Sequence, residues 1–220
     1  MHLQAREQNL ALDLQLESRQ EPVLQGNQGL SQKSNSPSNA SYYYSLTRLE
    51  TSGTISIDGQ TQQVQGISWM DHEFGSSALD NQAQGWDWFG LPLDNGQAFT
   101  FARIHDANGE SVYALGSLTD TQGNRIAFDP SSITLSAIDT WTSSTTGVTY
   151  PSGWRLQSAD GSIDLEVTPL RKNQELLLTI LYWEGAAKVT GNINGVAVSG
   201  HGYVELTGYT QSSDQSIRIR

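Results

Sequence analysis

The chain has 220 residues, 12 of them basic and 23 acidic, a formal net charge of −11, and no cysteine. The acidic balance disfavours nucleic acid and anionic membrane surfaces as partners, and the lack of cysteine excludes disulfides and thiolate chemistry. No apolar run approaches the roughly 20 residues that a membrane-spanning helix needs, so stable membrane insertion is not expected.

The first third of the chain predicts strands around one long polar segment. Leucine alternates with polar residues over 9–17, which is typical of a half-buried strand. The segment 18–39 is rich in Gln, Ser, Asn and Gly and predicts a long loop. Asp58-Gly59 predicts a tight hairpin turn. Further strands are predicted over 41–49, 53–57 and 62–69.

The rest of the chain predicts short strands separated by turns. The segment 140–151 is predicted to be irregular, and Gly200-His201-Gly202 is predicted to be a turn. Strands are predicted over 86–93, 97–104, 111–118, 126–138, 154–157, 162–169, 175–183, 187–193, 196–199 and 203–209. Because strands recur every eight to twelve residues and no helix is predicted, we expect an all-β antiparallel barrel or sandwich.

Acidic, basic and aromatic side chains are concentrated between residues 65 and 90. If the strand continues through Trp69-Met70-Asp71-His72-Glu73, the two carboxylates share a face with the tryptophan and the histidine faces the other way. By the same rule Trp86 and Trp88 share one face and Asp87 lies on the opposite one. A polar turn at a strand end is the structural alternative for 71–73.

Several stretches of the sequence resemble the AttH/CrtC lipocalin-like family. They include Trp69-Met70-Asp71-His72-Glu73-Phe74-Gly75, and the full set lies at 42–48, 64–75, 86–90, 182–186 and 200–209. The family contains carotenoid 1,2-hydratase (hydroxyneurosporene synthase), kievitone hydratase and bacterial AttH-like proteins described as secreted hydrolases. The resemblance implies two lipocalin-like barrels in tandem with a ligand pocket near their junction, and a location in the cell envelope or periplasm, although residues 1–8 have no signal-peptide pattern.

This chain is shorter than two complete barrels. We therefore expect 1–75 to form the C-terminal part of a first, incomplete lipocalin-like barrel and 76–220 to form a complete second barrel. The leucine-rich strand near the N-terminus is expected to leave an exposed sheet edge.

The resemblance implies a hydratase-like or lyase-like activity without a cofactor. Hydration of an isolated alkene needs a strong proton donor, and a carboxylic acid kept neutral by its surroundings is suitable. The candidate catalytic residues are Asp71, His72, Glu73 and Asp87, with the histidine as a proton shuttle. The expected partner is a hydrophobic small molecule of isoprenoid or polyketide type, and the oligomeric state is left open.

Aromatic and polar residues of the same motifs are the candidates for binding this ligand. Tryptophan faces stabilise a cation, although each tryptophan is also a candidate for the barrel core. Arg103, among apolar strand residues, is expected to pair with a buried carboxylate or to orient a ligand carboxylate. The candidate ligand-binding residues are Trp69, Trp86, Trp88, Arg103, Tyr182, Trp183, Glu184, Tyr203 and Glu205.

Three alternatives remain open from the sequence. The protein could bind a hydrophobic molecule without transforming it, because lipocalin-like folds host both functions. A glycosidase-like pair could combine Glu73 with Glu184 or Glu205. A metal site could combine residues 71–73 with His105 or His201, but no HxH or HExxH spacing supports it, so no metal is expected.

Overall fold

The structure is a computed structural model that describes residues 1–36, 39–75 and 79–210. It consists almost wholly of antiparallel strands, which confirms the all-β prediction. The first sheet has six strands: β1 His2–Glu7, β2 Leu10–Ser18, β3 Val23–Leu24, β4 Leu30–Gln32, β5 Ala40–Ile57 and β6 Gln60–Phe74.

A second sheet has ten strands, and a two-stranded ribbon accompanies it. The ten strands are β7 Gly85–Pro92, β8 Ala98–His105, β9 Ser111–Thr119, β10 Arg125–Ala127, β11 Ile133–Ala137, β14 Trp154–Ser158, β15 Ile163–Pro169, β16 Glu175–Leu177, β17 Leu181–Ile193 and β18 Val196–Thr207. The ribbon pairs β12 Thr140–Thr142 with β13 Thr149–Pro151, where an irregular segment was predicted. Only one helical turn, Pro130–Ser132, occurs in the described part of the chain, and no helix there could cross a membrane.

The long strand β5 organises the first sheet. It pairs with β6 along nearly its whole length, and its other edge pairs with β2, β3 and β4. The hairpin at Asp58-Gly59 is confirmed, with both residues at positive φ. Strand β6 runs on to Phe74, so residues 71–73 lie within a strand and the polar-turn alternative is wrong.

The N-terminal part of the first sheet differs from the predictions in two ways. Strand β2 is paired on both sides, with β1 and β5, so it is not the exposed edge that we expected. The predicted loop 18–39 contains the short strands β3 and β4, which are too brief to show a period in the sequence; its residues 37 and 38 lie outside the described residues.

The ten-stranded sheet curls around a single apolar core. Side chains from its central strands and from strands near both ends meet in one cluster, as Leu118 of β9 and Ile133 of β11 illustrate. Trp154 and Trp183 stack edge to face in this cluster with 5.6 Å between ring centroids. Burial of these rings removes a large apolar area from water and stabilises the sheet. The division of the chain into two domains at residue 75 stays a prediction.

One strand prediction and one turn prediction in the C-terminal part were wrong. The segment 175–183 is a reversal between β16 and β17, with Leu177 paired to Leu181, and its apolar run is largely exposed. The predicted turn at 200–202 lies inside β18, where His201 pairs with Lys188. A side chain at Gly200 or Gly202 would meet a carbonyl oxygen of β7 at 2.3 or 2.4 Å, so these glycines permit close strand pairing rather than a turn.

The close approach of β17 to β15 at Gly191 gives a first prediction. Gly191 has φ of 155°, and a Cβ there would lie 2.0 Å from the carbonyl oxygen of Asp164. We expect Gly191→Ala to lower the free energy of unfolding by at least about 2 kcal/mol, measured by urea denaturation. Gly66→Ala is the control, because nothing lies within 4 Å of that site on β6, and it should stay within about 0.5 kcal/mol of the wild type. Equal stabilities of the two variants would refute this account of Gly191.

Candidate functional site

A cleft of about 510 Å³ lies between the two sheets. Its volume lies within the usual range for small-molecule sites. The first sheet and the segment after β4 contribute Gln32, Lys33, Tyr43, Asp71 and Glu73. The rest of the lining consists of Leu79, Trp86, Trp88, Ala102, Ile104, Tyr113, Leu115, Tyr203 and Glu205. Carboxylates and one ammonium therefore line one side of the cleft, and aromatic and aliphatic groups line most of the other.

Three hydrogen-bond donors surround the carboxylate of Asp71. Oδ1 accepts from the hydroxyl of Ser45 at 2.6 Å and from Nε1 of Trp69 at 2.8 Å. Oδ2 accepts from the hydroxyl of Tyr43 at 2.9 Å. Because Oδ1 already accepts two bonds and Oδ2 only one, a proton on this carboxyl group is best placed on Oδ2.

Two further donors fix the direction of those hydroxyl groups. Trp88 Nε1 donates to Tyr43 Oη at 3.1 Å, and Gln25 Nε2 donates to Ser45 Oγ at 3.0 Å. Since each hydroxyl oxygen already accepts a bond, its own proton points to Asp71. Two hydrogen-bonded chains, one from each sheet, thus end on the same carboxylate and stabilise its charged form.

The protonation equilibrium of Asp71 reflects opposing effects. The surrounding protein displaces water from the carboxylate and raises the pKa of Asp71. The three donors lower this pKa, and the charge of the nearby Glu73 raises it. Much of the residue is still open to the cleft, so displacement of water by the surrounding protein, not full enclosure, causes the rise in pKa. A carboxyl group with a raised pKa that is accessible to a ligand suits proton donation.

Glu73 closes the cleft on the side of the segment after β4. Its carboxylate accepts from the hydroxyl of Ser41 and forms an ion pair with the ammonium of Lys33. The same ammonium lies 5.3 Å from the centroid of the Tyr43 ring, within cation–π range. Lys33 therefore connects the segment after β4 to Glu73 and Tyr43 in the lining of the cleft.

Glu205 approaches the cleft from β18. Trp86 Nε1 donates to its Oε1 at 2.6 Å, and Tyr203 Oη donates to the neighbouring Glu184 at 3.3 Å. Partial burial, together with the charges of Glu184, Asp71 and Glu73, raises the pKa of Glu205 despite the bond from the indole. The cleft thus contains two carboxyl groups, from different sheets, whose charged forms are disfavoured.

Trp88 takes its position from a glycine on its own strand. A Cβ at Gly90 would lie 2.2 Å from the indole of Trp88, so the ring occupies the space where a side chain at residue 90 would stand. In that position the indole reaches Tyr43 and meets Trp69 edge to face at 5.8 Å. The absence of a side chain at residue 90 is therefore part of the architecture of the site.

The structure brings together six of the sequence-predicted site residues in the lining of the cleft. These are Asp71, Glu73, Trp86, Trp88, Tyr203 and Glu205. Trp69, Tyr182 and Glu184 adjoin it, through contacts with Asp71, Trp86 and Tyr203 respectively.

The remaining predicted residues lie elsewhere. His72 faces away from the cleft, where its ring contacts Tyr44 and Phe74. Trp183 is fully buried in the core of the ten-stranded sheet, with Nε1 donating to the carbonyl of Lys172 at 2.7 Å.

Asp87 and Arg103 form a buried polar cluster on the inner face of the ten-stranded sheet. Asp87 is fully buried, and it accepts from Nε of Arg103 at 2.6 Å and from the hydroxyl of Tyr209 at 2.9 Å. His105 lies next to this pair, with 3.8 Å between Nε2 and Asp87. The arrangement satisfies the buried charges, and it separates Asp87 from the carboxylates of the cleft.

Sequence reasoning did not identify Tyr43, Ser45, Gln25 and Lys33 as site residues. Tyr43 is the middle member of three consecutive tyrosines, and alternation alone would have placed it opposite its neighbours. Its pairing with Glu73, and that of Ser45 with Asp71, depends on the register between β5 and β6. Lys33 and Gln25 come from the polar segment, which carries no periodic signal.

The three histidines named for a metal site differ in exposure and lie on different strands. His72 is on the exposed face of β6, His105 is buried, and His201 is exposed on β18. Across residues 1–36, 39–75 and 79–210, no three His, Asp or Glu side chains are grouped so that they could hold a metal ion. By contrast, Glu73 and Glu205 of the glycosidase alternative line the same cleft.

A curled antiparallel sheet, packed with a second sheet around a ligand-sized cleft, defines a lipocalin-like fold. The family model described as AttH-like matches residues 1–209, and the chain belongs to this family. No curated protein matches the sequence significantly.

Solved structures share the fold. An AttH protein from Nitrosomonas europaea is 35% identical, with a TM-score of 0.88 over 95% of this chain and 64% of its own. Kievitone hydratase from Nectria haematococca is 20% identical, with a TM-score of 0.77 over 96% of this chain and 65% of its own. The chain therefore spans just under two thirds of the length of these relatives. The second likeness, at this identity, shows the fold alone.

The raised pKa of Asp71 gives a second prediction. The folded protein holds this proton more tightly than the unfolded chain, so the contribution of Asp71 to stability is complete below the ordinary value of 3.8 and is lost as pH rises through the raised pKa. Asp71→Asn removes this titration. We expect the free energy of unfolding of the variant, minus that of the wild type, to increase from about pH 4 to about pH 7.

Urea denaturation at several pH values would measure this difference. Asp58→Asn, in the exposed hairpin, removes the same charge away from the cleft and is the reference for general charge effects. A difference for Asp71→Asn that falls with pH would show that the folded state favours the carboxylate.

Proposed function

We propose that the chain is a hydratase-like or lyase-like enzyme that acts on a hydrophobic, isoprenoid-like or polyketide-like substrate without a cofactor. The observation that supports this most directly is the placement of Asp71. A carboxyl group with a raised pKa faces a cleft that also holds tryptophan and aliphatic side chains. The fold similarity to kievitone hydratase adds support for a hydratase-like activity.

In the proposed reaction, Asp71 protonates one carbon of an alkene. The proton leaves Oδ2, the π electrons form the new C–H bond, and the adjacent carbon becomes a carbocation. A water molecule attacks this carbon and forms the C–O bond. The proton that it releases restores the acid on Asp71, so the sum is the addition of one water molecule to the alkene.

The groups around Asp71 suit both halves of this reaction. Because the surrounding protein displaces water, the charged form of Asp71 is less well solvated, and the proton stays on the carboxyl group before the reaction. After proton transfer, Tyr43, Ser45 and Trp69 stabilise the carboxylate through bonds that already point to it. The faces of Trp86 and Trp88 offer electron-rich surfaces to the carbocation.

The aliphatic part of the lining supports a hydrophobic substrate. Leu79, Ala102, Ile104 and Leu115 form this part, and Leu115 and Ile104 belong to adjacent strands of the second sheet. Burying an apolar chain against them is favourable by roughly 25 cal/mol per Å² of surface removed from water. The polar groups then fix the position of the reacting double bond.

Hydration of defined probes tests the proposal. The wild type is incubated with farnesol, squalene and lycopene, each with trisubstituted alkenes, in water enriched in ¹⁸O, and the products are analysed by mass spectrometry. We expect a product heavier by one molecule of labelled water. Asp71→Asn should lower its rate of formation at least about 100-fold, because the general acid is lost.

Asp58→Asn, outside the cleft, is the matched control and should keep the wild-type rate; thermal denaturation confirms that both variants are folded. If the wild type binds an alkene in a lipid pull-down but returns it unchanged, and Asp71→Asn binds it equally, the protein is a carrier of hydrophobic molecules and not a hydratase.

A further inference from the structure

One end of the cleft has more negative charge than its own cations balance. Lys33 is the one cation among the described residues that line the cleft, and Glu73 already pairs with it. Among the described residues, no ion pair joins a Lys, Arg or His side chain to Glu184 or Glu205. These two carboxylates therefore have no ion-pair partner among the described residues.

The two carboxylates are also held close to each other. Glu184 and Glu205 are direct partners in the register between β17 and β18, so their side chains leave the same face of the sheet. Like charges directly opposite in a sheet destabilise it. Burial raises the pKa of Glu205, and the charges of Glu184, Asp71 and Glu73 raise it further.

Aromatic rings surround this end of the cleft. Trp86 meets Tyr182 edge to face at 6.1 Å, and its indole nitrogen holds Glu205. Tyr203 lines the cleft, remains 41% exposed and bonds to Glu184. Rings beside carboxylates form the chemical environment that binds alkylammonium groups, because ring faces and carboxylates both attract positive charge without requiring hydrogen-bond donors.

We propose that Glu184, Glu205, Trp86 and Tyr203 form a cation-binding subsite that takes the alkylammonium group of a hydrophobic ligand, with its apolar part in the cleft. This assigns a ligand class to the cleft and rests on the proposed function in that both place a hydrophobic molecule there. A bound cation relieves the repulsion between the two glutamates, so affinity should depend on charge as well as on apolar area.

Three probes of equal chain length separate charge from hydrophobicity. Octyltrimethylammonium, 1-octanol and octanoate carry a positive, a neutral and a negative head group, and isothermal titration calorimetry gives their dissociation constants. We expect octyltrimethylammonium to bind at least about 10-fold more tightly than octanol, and octanoate to bind more weakly than octanol. Equal affinity for the cation and the alcohol, or tightest binding of octanoate, would overturn the proposal.

Neutral variants locate the subsite. Glu205→Gln and Glu184→Gln should each weaken binding of octyltrimethylammonium about 5-fold to 10-fold and change binding of octanol less than about 2-fold. Glu166→Gln, exposed on β15 and outside the cleft, is the matched control and should change neither. The two glutamates are replaced separately, so Glu184→Gln keeps the test valid if Glu205→Gln does not fold. An unchanged dissociation constant for the cation in folded variants would count against the assignment.

The binding test needs no turnover, so its result is independent of hydration. Asp71→Asn should lose hydration and still prefer octyltrimethylammonium over octanol. A cation preference without hydration of any alkene would remove the proposed function and leave the subsite, whereas hydration without a cation preference would remove the subsite alone.

Discussion

The indole of Trp88 is the contact on which the architecture of the site depends. It belongs to the ten-stranded sheet, yet its nitrogen donates to Tyr43 of the six-stranded sheet. Through Tyr43 it fixes a donor on Asp71, and its edge contact with Trp69 fixes a second. The environment of the central carboxylate is therefore built from both sheets, and neither sheet alone could provide it.

Carboxylates confer most of the chemical character of the cleft, and each is stabilised differently. Three neutral donors hold Asp71, an ion pair holds Glu73, and an indole holds Glu205. Among the described residues, neither Asp71 nor Glu205 has an ion-pair partner, and loss of surrounding water raises the pKa of both. Asp71 supplies the proposed acid at one end of the cleft, and Glu184 and Glu205 supply the proposed cation subsite at the other.

Local periodicity accounts for what could be predicted from the sequence. Alternation correctly placed Asp71 and Glu73 on the face of Trp69, with His72 opposite, and Asp87 opposite Trp86, because these relations involve neighbours on one strand. The partnership of Asp71 with Tyr43 depends on register across β5 and β6, which shifts irregularly between Leu46 and Leu49. Glycines 200 and 202 misled because glycine marks both turns and close strand contacts, and only the packing distinguishes them.

The buried cluster of Asp87, Arg103 and Tyr209 has a consequence for how a ligand is received. It clamps the inner face of β7 while Trp86 and Trp88 project from the outer face. A shift of this strand would break a desolvated ion pair. The positions of Trp86 and Trp88, which form the aromatic wall of the cleft, are therefore fixed before a ligand binds. Little conformational entropy of this wall is then lost on binding. The opposite wall is held by the ion pair between Lys33 and Glu73 and by the backbone bond that the Lys33 N–H donates to Asn39. The aromatic side of the cleft is therefore preorganised for a ligand.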